Sequence, residues 1–238
     1  LPDVNEILKS TAQEIAFNQF KNHFKDIESD ESLRKEIVAD YFTFAGYGII
    51  DLTSISSEGG ELTTKSDHYG IGWKSKFTSS NRPVSLFTAG FLAGATEAIF
   101  NLKLGTLECH QEKCISMGHD YSSFIISISK NNQELRLSTG KGVYQDYELK
   151  SPKNSNIDYL GIREAIAGMP IKGSEEDGLI NAFGVLLTRH YANYYTNVSN
   201  RFVDYFIGEL GRESLINAQI LLVEAGLVCV FNTFGGVM

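Results

Sequence analysis

Apolar positions open the chain with a helical period. Leu8, Ile15, Ala16, Phe20, Phe24 and Ile27 fall near one face of a helix with 3.6 residues per turn. Asp3, with Glu6 three residues on, forms a capping-box-like start. After the polar stretch Glu28–Glu31, Leu33, Ile37, Tyr41 and Phe44 make the buried stripe of a second helix, and Gly46 is its stop because glycine accepts the left-handed conformation. From Tyr47 the period changes. Ile49, Ile50, Leu52 and Ile55 sit among β-formers, Glu58-Gly-Gly60 reads as a turn, and Glu61–Lys65 reads as the returning strand of a hairpin. Tyr69-Gly-Ile-Gly-Trp73 is less regular.

Pro83 stands at a favoured first-turn position for a third helix. Phe87, Phe91, Ala95 and Ile99 make its large-residue stripe, and Gly90, Gly94 and Ala98 make a small-residue face at i, i+4, i+8. Such a face lets another backbone, or a flat ligand, come close; cores routinely use small residues in the first way. Glu97 is the single acid of this helix and is expected to be exposed or bound to backbone. Strands are expected at Leu104–Leu107, Phe124–Ser129 and Glu134–Ser138, with Asn131-Asn132 as the turn between the last two. The pattern predicts an α+β fold, with an antiparallel sheet of about five strands and helices packed on one face.

The stretch from Lys141 to Ser174 is loop-like, with a short helical piece around Ile162–Ala167 before Pro170 and Gly173. Helical patterns return at Leu179–Tyr195, Ser199–Leu210 and Glu213–Ala225. Phe20-x-x-x-Phe24 followed by Ala45-Gly46 recurs as Phe202-x-x-x-Phe206 followed by Ala225-Gly226, and a strand-like stretch follows each glycine, Tyr47–Asp51 and then Leu227–Phe231. The expected organisation is a domain over residues 1–140, a linker over 141–175, and a mainly helical region over 176–238 that reads as a truncated second copy. The absence of Met at position 1 and the strand-like end make the chain read as a fragment.

Composition narrows the function. The 238 residues are 42% hydrophobic and 21% charged, which suits a packed core. A net charge of −8 argues against generic nucleic-acid binding, because displacing counterions from phosphates needs lysine and arginine. Three cysteines are too few for a disulfide scaffold and point to a reducing, cytoplasmic setting. No apolar run has the length of a membrane span.

Chemistry is sparse. Aromatic side chains around the small-residue helix face suit a mostly apolar pocket, with Tyr41, Phe44, Trp73, Phe87, Phe91 and Phe124 as candidate lining; solid core packing competes for each. Asp67-His68 reads as a surface hydrogen-bonded pair, since no nucleophile is spaced near it. No strand–Gly-x-Gly-x-x-Gly–helix element offers a place for a hydride-carrying dinucleotide.

Three stretches carry a family resemblance. Ala45-Gly-Tyr-Gly-Ile-Ile-Asp51, then Thr88-Ala-Gly-Phe-Leu-Ala-Gly94, then Glu112-x-Cys114-x-x-x-Gly118-x-x-x-Ser122-x-Phe124 together resemble the 4-vinyl reductase domain family, over roughly residues 5–140. The resemblance implies helices against an antiparallel sheet, related to subunits of Golgi transport complexes. It also implies a hydrophobic pocket for small apolar or aromatic molecules, and pairing of two copies through the N-terminal helices. The family's second cysteine falls on Ser122 here. In zinc-binding members the cysteines around this turn supply thiolates; Cys109, Cys114 and His119, with His110 nearby, are the candidate ligands left. No cofactor is otherwise expected.

The expected function is a non-catalytic sensory or regulatory domain that binds a small apolar, aromatic or lipid-like molecule, as a homodimer. The alternative is a protein-interaction scaffold like the transport-complex subunits, and tetrapyrrole vinyl reduction has the least support.

Overall fold

The computed structural model describes residues 4–130 apart from 26, 28 and 29, and residues 156–234 apart from 157, 170, 183 and 191. Its centre is a crossing of two helices, α1 (Val4–His23) and α4 (Leu86–Ile99). Every residue from Phe87 to Ile99 is buried. A Cβ on Gly90 would lie 2.0 Å from the Lys9 carbonyl oxygen, and one on Gly94 would lie 2.0 Å from that of Gln13. The small-residue face therefore seats a helix backbone. Between these helices in sequence come α2 (Glu31–Phe44) and α3 (His68–Phe77). Asp30 caps α2, its side chain accepting from the Leu33 N–H at 2.8 Å. Gly46, at φ +85°, turns the chain away from α2.

The other face of α4 rests on a three-stranded antiparallel sheet of β1 (Gly59–Thr64), β2 (Leu107–Lys113) and β3 (Ser122–Ile128), in the order β1-β3-β2. Leu62 opposes Phe124 and Cys109 opposes Ile126, and all four side chains are buried. Alternation places them on one face, as a half-covered sheet requires.

Among the described residues this sheet has three strands rather than the expected five. The stretch Ile49–Ile55 forms no strand, although Ile50, Leu52 and Ile55 are buried. Its backbone finds other partners: the Gly48 N–H donates to the Gly178 carbonyl at 3.1 Å, and the Ile49 N–H donates to Ser66 Oγ at 2.9 Å. Tyr47 bridges to Leu179. The strand expected from Leu104 begins at Leu107, after a turn at Gly105 with φ +85°. Glu134–Ser138 and the Asn131-Asn132 turn lie outside the described residues.

Two further strands form a separate hairpin where a helix was expected. After α5 (Tyr159–Gly168), β4 (Ile180–Ala182) and β5 (Val185–Leu187) pair antiparallel, with Ile180 opposite Leu187. Gly184, at φ +74°, lies in the turn. Then α6 (Ala192–Leu210) runs unbroken across the two helical patterns expected there, and α7 (Leu215–Phe234) follows a single 3-10 turn. The stretch after Gly226, expected to be strand-like, continues as helix. The chain divides into two units, residues 1–137 with 172–238, and residues 138–171, which contain α5. In the larger unit α6 packs on α1, where Arg201 pairs with Glu14 and donates to Thr11 Oγ1 at 3.0 Å. No described helix is long and apolar enough to cross a membrane.

Candidate functional site: a groove between α3 and the C-terminal hairpin

An open groove of about 890 Å³ runs between α3 and the β4–β5 hairpin. Trp73 and Phe77 stand one helical turn apart on its α3 side, their ring centroids 4.8 Å apart. Leu179, Val185 and Leu186 line the opposite side, and His68 and Tyr69 line the start of α3. Lys76, Asp177, Ser75 and Asn181 also line it, so the wall joins apolar and aromatic side chains to a few polar and charged groups able to orient an occupant.

Behind the groove an aromatic cluster surrounds one imidazole. The ring of His190 lies 4.7 Å from that of Phe87, 5.4 Å from Tyr194 and 5.5 Å from Tyr47. Its hydrogen bonds set its tautomer. The Tyr47 hydroxyl donates its single proton to the Arg189 carbonyl at 2.8 Å, so it can only accept from His190 Nδ1, 3.4 Å away. Nδ1 then carries the proton, and Nε2 accepts from the Tyr69 hydroxyl at 2.8 Å. Burial, and then the nearby His68, lower the His190 pKa to about 4, so the ring is neutral near pH 7. Burial, and then Lys76, lower that of His68 to about 4 as well. Burial, ahead of the neighbouring tyrosines, raises the Tyr47 and Tyr69 hydroxyls above their usual range. The cluster is thus an uncharged hydrogen-bonded chain, Tyr69–His190–Tyr47–Arg189 carbonyl.

The six aromatic residues singled out by sequence fall in different places. Trp73 lines the groove, and Phe87 packs in the cluster behind it. Tyr41, Phe91 and Phe124 sit in the core region: Tyr41 and Phe91 both contact Phe20, and Phe124 lies buried on β3. Phe44 is 46% exposed, with the Arg189 guanidinium 4.9 Å above its ring. Sequence reasoning missed Tyr69, His190, Tyr194 and the hairpin. The signal available was the dense aromatic run His190-Tyr-Ala-Asn-Tyr-Tyr195 just after a glycine-centred turn.

The candidate zinc ligands do not form a set. Among the described residues no three His, Cys, Asp or Glu side chains come together in a way that could hold a metal ion. Cys109 is buried on β2, and burial pushes its thiol pKa up, away from the thiolate a metal needs. Cys114 Sγ lies 3.0 Å from Ser116 Oγ, and His119 turns Nδ1 to the Cys114 backbone. Ser122 Oγ donates to Asp67 Oδ2 at 2.8 Å.

No protein-family model matches the chain, and no curated protein matches it. Solved structures give weak likenesses. One is the phenol-responsive sensory domain of the transcription activator PoxR, solved with phenol: 14% identity, 50% of this chain and 64% of that one, TM-score 0.35. Another is a vinyl-4-reductase family protein from Methanocaldococcus jannaschii: 19% identity, 54% of this chain and 94% of that one, TM-score 0.31. The chain thus spans under two thirds of the phenol-responsive domain.

Proposed function

We propose that this chain binds a small, uncharged, largely apolar or aromatic molecule in the groove between α3 and the β4–β5 hairpin, as a sensory or regulatory domain. The observation that carries the reading is a partly exposed Trp73–Phe77 pair in a groove of about 890 Å³ whose inner neighbours, His190, Tyr47 and Tyr69, are held neutral. Aromatic faces supply area at low conformational cost. Away from Lys76 and Asp177, the lining gives a charged ligand no partner to repay its desolvation.

Trp73 is the only tryptophan, so its emission reports on this groove and nothing else. The test is a titration with phenol, cyclohexanol, benzoate and a medium-chain fatty acid, read as Trp73 emission. Saturable changes with the uncharged members, and none with benzoate, support the reading. A flat response to every member overturns it.

A protein-contact role has one observation in its favour. Ile216, Ile220 and Val223, at i, i+4 and i+7 of α7, are 64%, 50% and 61% exposed. An apolar stripe of that spacing suits a helix partner, a second copy of the chain included. Sedimentation of wild type and Ile220→Glu tests it: a dimer lost in the variant supports the contact, and a monomer in both rules it out.

A further inference from the structure

The groove's aromatic wall stands on α3, and α3 begins at a carboxylate that is tied to other elements as well as to its own first turn. Asp67 is the capping residue of α3, and the Tyr69 and Gly70 N–H groups of the first turn favour its charged form without forming a well-aligned capping bond. Its Oδ2 accepts from Ser85 Oγ at 2.5 Å, from Ser122 Oγ at 2.8 Å and from Gln111 Nε2 at 3.5 Å. Ser85 immediately precedes α4, Gln111 lies on β2 and Ser122 opens β3. Gln111 closes the ring, accepting from the Ser85 N–H at 3.0 Å and donating to Ser85 Oγ at 3.3 Å. Asp67, Ser85 and Ser122 are each 0% exposed. Donors from three separate elements therefore end on one oxygen atom.

The fit at that oxygen is close. A Cβ on Gly70, in the first turn of α3, would lie 2.8 Å from Asp67 Oδ2 and 3.3 Å from Ile115 Cβ. The α3 backbone is thus held against both the carboxylate and a 3-10 turn at Ile115–Met117 that links β2 to β3. From there the helix carries Trp73 and Phe77 outward along the groove. Asp67 is not among the groove-lining residues, so it acts on the groove only through the placement of α3.

We propose that Asp67 is a positioning residue: it fixes where α3, and with it Tyr69, Trp73 and Phe77, stands relative to α4 and the sheet, and so sets the groove's affinity for its occupant. The inference rests on the groove being the binding site. It differs from a purely stabilising role, which would change the melting temperature and leave the environment of Trp73 in the folded protein untouched.

The experiment measures acrylamide quenching of Trp73 in the ligand-free protein, well below each variant's melting temperature, and then phenol affinity from Trp73 emission. Wild type is compared with Asp67→Ala, Asp67→Asn and Val38→Ala. Val38 is buried on α2, so its truncation supplies a stability loss remote from this network. Asp67→Ala is expected to raise quenching about two-fold and to weaken phenol binding about ten-fold, since buried hydroxyls lose their acceptor. Asp67→Asn keeps a carbonyl oxygen for the two serines and is expected to return both readouts to within about two-fold of wild type. Val38→Ala is expected to lower the melting temperature and move neither. Should Asp67→Ala fail to fold, Ser122→Ala removes one donor and is expected to move quenching the same way by less. Trp73 quenching unchanged in Asp67→Ala, or in Ser122→Ala where that substitute is needed, overturns the proposal. A wild type that ignores phenol, with quenching still shifted by Asp67→Ala, removes the ligand reading and leaves the positioning role standing.

Discussion

The Tyr69 hydroxyl donates to His190 Nε2 at 2.8 Å across 121 positions of sequence. This bond ties the first turn of α3 to the segment entering α6. It also completes the chain that fixes the His190 tautomer.

Replacing Tyr69 by Phe removes the donor and leaves a buried imidazole nitrogen unsatisfied. The expected cost is about 1–2 kcal/mol. For a chain of this size each kcal/mol lowers the melting temperature by about 2–4 °C. Calorimetry checks it. A double-mutant cycle with His190→Phe is expected to recover part of the loss, because removing both partners leaves no orphan.

The two half-buried imidazoles of His68 and His190 predict loss of stability in acid. The His68 and His190 pKa values fall from 6.5 to about 4 on folding. The unfolded chain therefore takes up protons first as pH falls. The contribution is present above about pH 6.5 and is lost as pH drops towards 4, by at most about 3 kcal/mol per ring. Urea unfolding of wild type and His190→Phe across that range checks it: the gap between them should move in the variant's favour as pH falls.

Glu97 predicts the opposite slope. It is fully buried on α4, where Oε1 accepts from Gln13 Nε2 at 3.0 Å and the Leu107 N–H at 2.8 Å, with the Gly105 and Thr106 N–H groups also favouring the carboxylate; among the described residues Oε2 has no well-aligned partner. Burial raises its pKa from 4.5 to about 7, against the lowering by those donors. Its favourable contribution is complete below about pH 4.5 and is lost as pH rises through 7. Glu97→Gln should therefore match wild type near pH 4 and exceed it by roughly 1–3 kcal/mol at pH 8. Equal stability of the two proteins at pH 8 would count against a buried neutral Glu97.

Much of the α1–α4 half was legible because its determinants are local. The helical stripe through Phe20 and Phe24 and the small face of Gly90 and Gly94 follow from spacing alone, and both residues do seat a backbone. The groove was mostly illegible because it is made by residues far apart in sequence. Asp67 reads as a surface acid beside His68, and only folding brings Ser85, Gln111 and Ser122 onto its Oδ2. Tyr69-Gly-Ile-Gly-Trp73 looks irregular because glycine disfavours helix, yet Gly70 has to be small where α3 abuts Asp67 and Ile115. The Ile49–Ile55 run has strand composition, but its first backbone groups bond to Gly178 and Ser66. Glu97 was expected to be exposed or bound to backbone; it is buried and bound to both backbone and Gln13.

Gly94→Ala tests the helix crossing. The added methyl would meet the Gln13 carbonyl oxygen at 2.0 Å, a backbone atom with no rotamer to yield. The expected loss is about 1–3 kcal/mol or more. Gly72→Ala, on α3 with nothing within 4 Å, is the matched comparison and should be neutral or slightly stabilising. Thermal unfolding of both variants decides it.

The groove's two walls come from residues 68–77 and 177–186. A chain emerging from the ribosome carries the tryptophan wall long before the hairpin that faces it. The groove therefore cannot take shape until the hairpin has been synthesised, however early α3 itself folds.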